Sequence, residues 1–347
     1  MEYEEVRISG SDKKAMQEVE LLLTKEGIQK DGNLEYTMGI YKQDKLVATG
    51  SFFKNTLRCL AVDADYQGEG LLNKVLTHLL NAQYHKGNIE VFLYTKEDKA
   101  KFFADLGFYE IASVEGLVVF MENRAAGFKN YLNNLAKTKL PGSSIASVVV
   151  NANPFTLGHQ YLIEQAAKEN DILHIFVVSE DVSIVPFAIR YELVQKGVQH
   201  LKNIVLHETG SYLISNATFP SYFIKDADSV IEAHAKLDIE IFKNNIAKCL
   251  GITKRYLGEE PLSHVTNIYN KIMKTELERT GIACIVLDRK QVEGAPISAS
   301  KVRQFIHDGE LEKIKPLVPQ RTYDFFKSAA GAEIIKKIQK TENVIHY

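Results

Sequence analysis

From Ile145 to Leu287 the chain alternates short apolar runs with stretches of helical periodicity, and this alternation restricts the fold more than any other feature. Ile145–Val150, Ile172–Val178, Asn203–His207, Ile252–Leu257 and Ile282–Leu287 read as strands. Gly158–Lys168, Ile189–His200 and His264–Arg279 read as helices between them. Strands separated by helices belong to a parallel sheet with crossover connections. Such a sheet binds ligands beyond the carboxyl ends of its strands, at the point where strand order reverses. The chemistry of this half is therefore expected in the loops that follow its strands.

The first half has a different rhythm. Asp12 is placed to cap a helix reaching Lys25, with Ala15, Val19, Leu22 and Leu23 on one face. Glu35–Tyr41 and Leu46–Lys54 suit a hairpin across Lys42-Gln43-Asp44, and Leu57–Val62 a third strand. A helix over Leu71–Tyr84, a strand over Ile89–Tyr94, a helix over Glu97–Leu106 and an extended run over Tyr109–Met121 complete an α+β pattern. Glu122–Ser144 is polar, with Asn130, Asn133 and Asn134 and a Lys-Leu-Pro-Gly turn at 139–142. The predicted organisation is a first domain over 1–125, a connector over 126–144, and a second domain over 145–347 ending in a helical segment. At about 100–200 residues per domain, 347 residues suffice for two cores.

Composition removes several function classes. Forty-two Lys and Arg against 44 Asp and Glu leave a formal charge of −2, which provides no basic footprint for nucleic acid. Cys59, Cys249 and Cys284 are far apart and form no CxxC pair, so neither a disulfide framework nor a zinc finger is indicated. The acidic start Met1-Glu2-Tyr3-Glu4-Glu5 is unlike a signal peptide, and no stretch approaches the roughly 20 apolar residues of a membrane span. The expectation is a soluble, cytoplasmic protein without membrane or nucleic-acid partners.

Two strings in the second half carry chemistry. Ser147-Val148-Val149-Val150-Asn151 runs into Ala152-Asn153-Pro154-Phe155-Thr156-Leu157-Gly158-His159, and a helix begins at about Gln160. Thr156 and His159 thus lie where a strand ends and a helix N-terminus opens, a place that attracts anions. Gly158 lets backbone approach a phosphate, and His159 can donate from a ring nitrogen. Alone, the string reads equally as a helix cap with a half-exposed histidine. About 140 residues later, Ile297-Ser298-Ala299-Ser300-Lys301-Val302-Arg303 opens another helix. Ser298 is a good N-cap. Ser298 and Ser300 with Lys301 as a point charge and Arg303 as a fork also make a triphosphate cradle. Together the two strings favour phosphate chemistry over capping alone.

The Thr-x-Gly-His and Ser-x-Ser-x-x-Arg strings resemble the phosphate motifs of the nucleotidyltransferase superfamily. Asn151–Leu162, Ala217-Thr218-Phe219-Pro220-Ser221-Tyr222-Phe223, Gly258-Glu259-Glu260-Pro261 and Thr266-Asn267-Ile268-Tyr269-Asn270 are similar to the citrate lyase ligase family over essentially the whole chain. The resemblance implies a Rossmann-like, parallel-sheet adenylating domain and an AMP-forming reaction. ATP, with Mg²⁺, activates acetate as acetyl-adenylate, and the acetyl group passes to a thiol on the acyl carrier subunit of citrate lyase. Phosphoryl chemistry of this kind needs positioning and charge neutralisation more than a protein nucleophile. His159, Thr156, Lys301 and Arg303 are the expected catalytic residues, with Asn153, Gly158, Ser298 and Ser300 binding the nucleotide. Asn153 either orients a phosphate or the acetate, or stiffens the turn before Pro154. Glu259 and Glu260 contact adenosine, metal or solvent only, and Arg190 is a candidate for the phosphate or adenine side. An adenylyltransferase of the phosphopantetheine type and a regulatory binder of coenzyme A derivatives are the competing readings.

In the first half, Gln67-Gly68-Glu69-Gly70 lies between a strand and a helix and resembles the acyl-coenzyme A pyrophosphate loop of the GNAT acetyltransferase family. Lys101–Phe108 is similar to a later segment of that family. The family has a small residue where Leu72 stands, and a bulkier side chain there is expected to crowd the loop. No residue in this half reads as a general base for acetyl transfer. Gln67, Gly68 and Gly70 are therefore expected to bind the carrier's coenzyme A-derived arm rather than to transfer acetyl.

Overall fold

The protein is described by a computed structural model covering residues 3–179, 183–213, 226–259 and 264–342 together with Phe219, Tyr222, Ile224 and Val344. The blocks at 217–218, 220–221 and 223, and Glu260 with Pro261, lie outside the described residues, as do the side chains of Thr266 and Asn267. The chain divides into two compact units, Met1–Asn130 with Pro220–Glu240, and Tyr131–Phe219 with Ile241–Tyr347. The segment 220–240, expected in the second domain, groups with the first unit.

The first unit holds a seven-stranded sheet: β1 (Tyr3–Ile8), β2 (Tyr36–Lys42), β3 (Lys45–Phe53), β4 (Thr56–Val62), β5 (Phe92–Thr95), β6 (Tyr109–Val114) and β7 (Val118–Glu122). The order is β1-β2-β3-β4-β5-β7-β6, antiparallel except for the parallel β4–β5 pair. The extended run at 109–121 is a hairpin, turned at Gly116, whose φ of 70° a side chain would strain. Helix α1 (Lys13–Lys25), capped by Asp12 as expected, packs Val19, Leu22 and Leu23 with Ile8, Leu46 and Ala61. Helix α2 (Leu71–His85) packs Leu71, Val75, Leu76 and Leu79 with Met38, Ile40 and Val47, joined by Phe103 of α3 (Glu97–Asp105). The expected connector contains a helix, α4 (Gly127–Ala136).

The second unit is built on five parallel strands, β8 (Ile145–Val150), β9 (Ile172–Val177), β10 (Ile204–Glu208), β11 (Lys254–Gly258) and β12 (Ala283–Leu287). Their order, β10-β9-β8-β11-β12, places the first strand in the middle. Helices α5 (Leu157–Lys168) and α6 (Phe187–Val198) supply Ile163, Ala166, Leu193 and Val194 to a core with Val148, Val150, Ile175 and Val177. Helix α7 (Ala227–Ile241) belongs to the first unit up to Glu240, and the remaining helices of the second are α8 (Ala247–Leu250), α9 (His264–Glu278), α10 (Ala299–His307), α11 (Gln320–Lys327) and α12 (Ala329–Gln339). Val302, Ile306, Tyr323, Phe326, Ile334 and Ile338 of α10–α12 form a second core of this unit. The chain moves outward from β8 to β10 and then returns to pair β11 with β8, so strand order reverses between these two. A crevice at their carboxyl ends is the ligand position this topology favours. Among the described residues no helix is long and apolar enough to cross a membrane.

Candidate active site

The turn that leaves β8 is held by a buried arginine. Arg190, in the first turn of α6, donates from Nε to Val185 O (2.9 Å) and from Nη1 to Val178 O (2.7 Å), Asn151 O (2.8 Å) and Asn151 Oδ1 (2.9 Å). A planar fork of donors suits this convergence of carbonyls. Arg190, a candidate for the phosphate or adenine side, is fully buried and braces the ends of β8 and β9. Asn153 is buried as well; its Oδ1 accepts from Val185 N (3.1 Å), which supports the turn-stiffening alternative, and its Nδ2 has no partner among the described residues.

Thr156 caps α5, and His159 completes a reciprocal pair with it. The Thr156 hydroxyl accepts from His159 N (3.4 Å), while the Thr156 N–H donates to His159 Nδ1 (3.1 Å). A backbone N–H can only donate, so Nδ1 is an acceptor and the ring proton of the neutral imidazole lies on Nε2. The ring lies nearly parallel to buried Phe155, centroids 5.9 Å apart. Burial, reinforced by the Arg289 guanidinium, pulls the His159 pKa down to about 4. At neutral pH His159 is a neutral donor through Nε2. The N–H groups expected to await an anion are partly used: Leu157 N donates to Leu317 O (2.9 Å) and Lys301 N to Ser298 Oγ (3.2 Å).

The two strings meet at Gly158. A Cβ there would stand 3.4 Å from Ile297 O and 3.7 Å from Ile297 Cβ, ordinary contact distances, so the start of α5 lies directly against the residue before Ser298. Ser298 caps α10 and its hydroxyl lies 3.1 Å from that of Ser300. Lys301 is exposed at the first turn. Arg303 is not: its Nε donates to Val344 O (2.6 Å) and its Nη1 to Asn153 O (2.6 Å). Burial lowers its pKa to about 10. The fork expected on a triphosphate instead holds the backbone of the first string against α10.

A different arginine lies at the crevice. Arg289, two residues past β12, donates from Nε to Glu259 O (2.7 Å) and from Nη1 towards Ile297 O (3.5 Å). Glu259 N in turn donates to Leu287 O (2.9 Å). Arg289 therefore gathers the ends of β11 and β12 and the loop before α10, and its charge acts on His159. Sequence reading passed over it, although an arginine just past a carboxyl-terminal strand end is the available signal. Glu259 itself is exposed.

The sequence matches known proteins. Residues 145–326 match the model of the citrate lyase ligase C-terminal domain. The citrate (pro-3S)-lyase ligase of Klebsiella pneumoniae is 38% identical over 326 residues, spanning 93% of this chain and 95% of the relative. The chain belongs to the citrate lyase ligase family. The corresponding ligase of Escherichia coli K12 is 37% identical over 327 residues, 93% of each chain. Among solved structures, an acyl-CoA N-acyltransferase from Pseudomonas aeruginosa overlaps 35% of this chain and all of its own, at 13% identity and TM-score 0.31. A provisionally assigned nicotinate-nucleotide adenylyltransferase from Vibrio parahaemolyticus overlaps 57% of this chain and 96% of its own, at 15% identity and TM-score 0.35. Membership of the ligase family rests on the sequence matches.

The first unit of this ligase-family chain carries the glycine turn between β4 and α2. Gly68 and Gly70 have φ of 86° and 74°, and nothing stands within 4 Å of where a Cβ would be. Gln67 is exposed, its amide donating to Val62 O (3.4 Å). Leu72, expected to crowd the loop, is half-buried and packs on the α2 core.

Proposed function

We propose that the protein is an ATP-dependent ligase that activates acetate as acetyl-adenylate and acetylates a thiol of the citrate lyase acyl carrier. The carboxylate oxygen attacks the α-phosphorus, pyrophosphate leaves, and the thiol then displaces AMP from the acyl carbon. His159, donating from Nε2, stabilises charge on the α-phosphoryl oxygens, and Thr156 holds its ring in that tautomer. Lys301 and Arg289 neutralise the β- and γ-phosphates, with Ser298 and Ser300 beside them. Arg303 and Asn153 position the first string. Among the described residues no three His, Cys, Asp or Glu side chains gather to hold a metal. Mg²⁺ that enters on the triphosphate and keeps waters suits such a site. Gln67, Gly68 and Gly70 hold the pyrophosphate of the carrier's arm.

The observation that carries this reading is the junction of the two phosphate strings at Gly158 and Ile297, beside a neutral histidine and Arg289. Exchange of 32P-labelled pyrophosphate into ATP, run with a panel of short carboxylates, tests it. Exchange that depends on acetate is expected. Exchange independent of any carboxylate, or AMP left on a small-molecule product, would replace it with a plain adenylyltransferase.

A further inference from the structure

The first unit holds a groove of about 640 Å³ of which the reading above uses only the Gly70 end. It runs beside α2 from Gly70 past Lys74 and His78 to His85, and Glu5 and Tyr36 close its other side. Glu5 pairs in register with Ile40, so the alternation of β1 and β2 puts Glu5, Arg7, Tyr36 and Ile40 on the sheet face that α2 covers. Three ionisable groups from three elements are linked there. Tyr36 Oη lies 2.8 Å from His78 Nε2, and His78 Nδ1 lies 3.2 Å from Glu5 Oε2. The carboxylate only accepts, so Nδ1–H donates to Glu5. Nε2 of the neutral ring then accepts the Tyr36 O–H.

The phenol is also held in place. Its ring lies parallel to Phe52 with centroids 4.9 Å apart, and the Arg7 guanidinium stands 4.9 Å from its centre. A proton-bearing group hydrogen-bonded to a base that a third group orients is the arrangement of an activated acid–base site. A tie between β1 and α2 would need no groove at its end. Here the His78 and Glu5 side chains are 24% and 39% exposed, within reach of a ligand.

We propose that Tyr36, His78 and Glu5 form a proton relay serving a thiol-ended ligand laid along α2. The thiol in this assignment rests on the glycine turn holding a pantetheine arm, as read above. His78 is eight residues beyond Gly70, about 12 Å at 1.5 Å per residue, which an extended pantetheine arm spans. In the relay step the S–H bond breaks and its proton joins Tyr36 Oη. The former Tyr36 proton passes to His78 Nε2, and the electron pair stays on sulfur. The resulting imidazolium is paired with the Glu5 carboxylate. No co-reactant is consumed.

Two measurements on the full chain separate the relay from the arm. In the first, p-nitrophenyl acetate labels the protein and mass spectrometry follows acetyl on Tyr36, with exposed Tyr109 as internal reference. Tyr36 oxygen bonds to the acetyl carbon, nitrophenolate leaves, and the tyrosine proton goes to His78. Tyr36 should label about 10²-fold faster than Tyr109, the lower range of a positioned base. His78→Gln should remove most of that excess, Glu5→Gln part of it, and neither should alter Tyr109, with parental circular dichroism and urea midpoints showing that the variants are folded. Equal labelling of the two tyrosines, or an unchanged rate in both variants, overturns the relay. In the second, calorimetry and ultraviolet thiolate absorbance follow reduced coenzyme A. Bound coenzyme A should show several-fold more thiolate at pH 7 than the same thiol in buffer, and Tyr36→Phe should bind it with that excess lost. Binding without added thiolate overturns the thiol assignment. Absence of binding overturns the arm reading and the thiol together, leaving the relay to the labelling result.

Discussion

Thr156 and His159 are locked to one another through both their backbones and their side chains: the Thr156 N–H donates to His159 Nδ1 at 3.1 Å, and Thr156 Oγ1 accepts from His159 N at 3.4 Å. The helix cap and the Nε2–H tautomer of His159 are therefore set by the same bonds. The capping and functional alternatives that the sequence leaves open do not compete.

Removing the imidazole tests that coupling. His159→Ala should lower turnover in acetate-dependent pyrophosphate exchange by roughly 10²–10³, with a smaller change in ATP affinity. With its pKa near 4, His159 stays neutral through pH 5–8, so the parent's turnover should show no limb at the ordinary histidine pKa. Stability carries the opposite mark. Between the unfolded value of 6.5 and about 4 the unfolded chain binds a proton that folded His159 does not, so stability is lost as pH falls through that window. Urea midpoints at pH 7 and pH 5 should therefore draw closer together in His159→Gln. A gap equal to the parent's would count against the half-buried, neutral histidine.

Arg289→Gln removes the positive charge that disfavours protonation of His159, so the His159 pKa should rise, as followed by NMR titration. The KM for ATP should rise about tenfold or more, the scale of a charge-assisted hydrogen bond. Arg289→Lys should restore the charge without the fork, and so repair the histidine pKa better than the KM. A variant with parental KM and parental His159 titration would remove Arg289 from the site.

Arg303→Ala leaves the carbonyls of Asn153 and Val344 without their donor in a buried place. A loss of about 2–5 kcal/mol in urea unfolding is expected, with Arg303→Lys recovering only part of it. The KM for ATP, measured where the variant is still folded, should stay near the parent's. Parental stability combined with lost ATP affinity would return Arg303 to the phosphates.

Gly197 tests positioning from outside the crevice. A Cβ at this position would lie 2.3 Å from Phe155 Cε1 and 3.0 Å from Cδ1, so the ring that stacks on His159 has to shift. Gly197→Ala should cost about 1–3 kcal/mol of stability and lower turnover more than it weakens ATP binding. Full activity in this variant would show that the Phe155–His159 stack does not set the histidine's orientation.

Much of the frame was legible in local periodicity. The apolar run Ile145–Val150 is β8 to the residue, and the other four strands of the parallel sheet lie within about two residues of their expected ends. Asp12, Thr156 and Ser298 cap helices as their chemistry suggested. The misses share a cause. β1 lacks a local signature because Tyr3, Glu5 and Arg7 make the face it turns toward α2 polar, and their partners Glu69, His78 and the Tyr36 ring lie on distant segments. The hydrogen-bonded relay of Glu5, Tyr36 and His78 spans 73 residues of chain and has no local signature.

Arginine shows most clearly where sequence stops and structure takes over. Residue type and spacing placed Arg190 and Arg303 near the starts of helices by the strand ends of the second half. Which guanidinium faces a ligand was decided only by the fold. Arg190 and Arg303 lie under 5% exposed and bind backbone carbonyls, while Arg289, in no motif, reaches the crevice. A guanidinium fork is satisfied equally by phosphate oxygens and by converging carbonyls. The carbonyl that Arg303 takes is 150 residues away along the chain, and only packing brings it near.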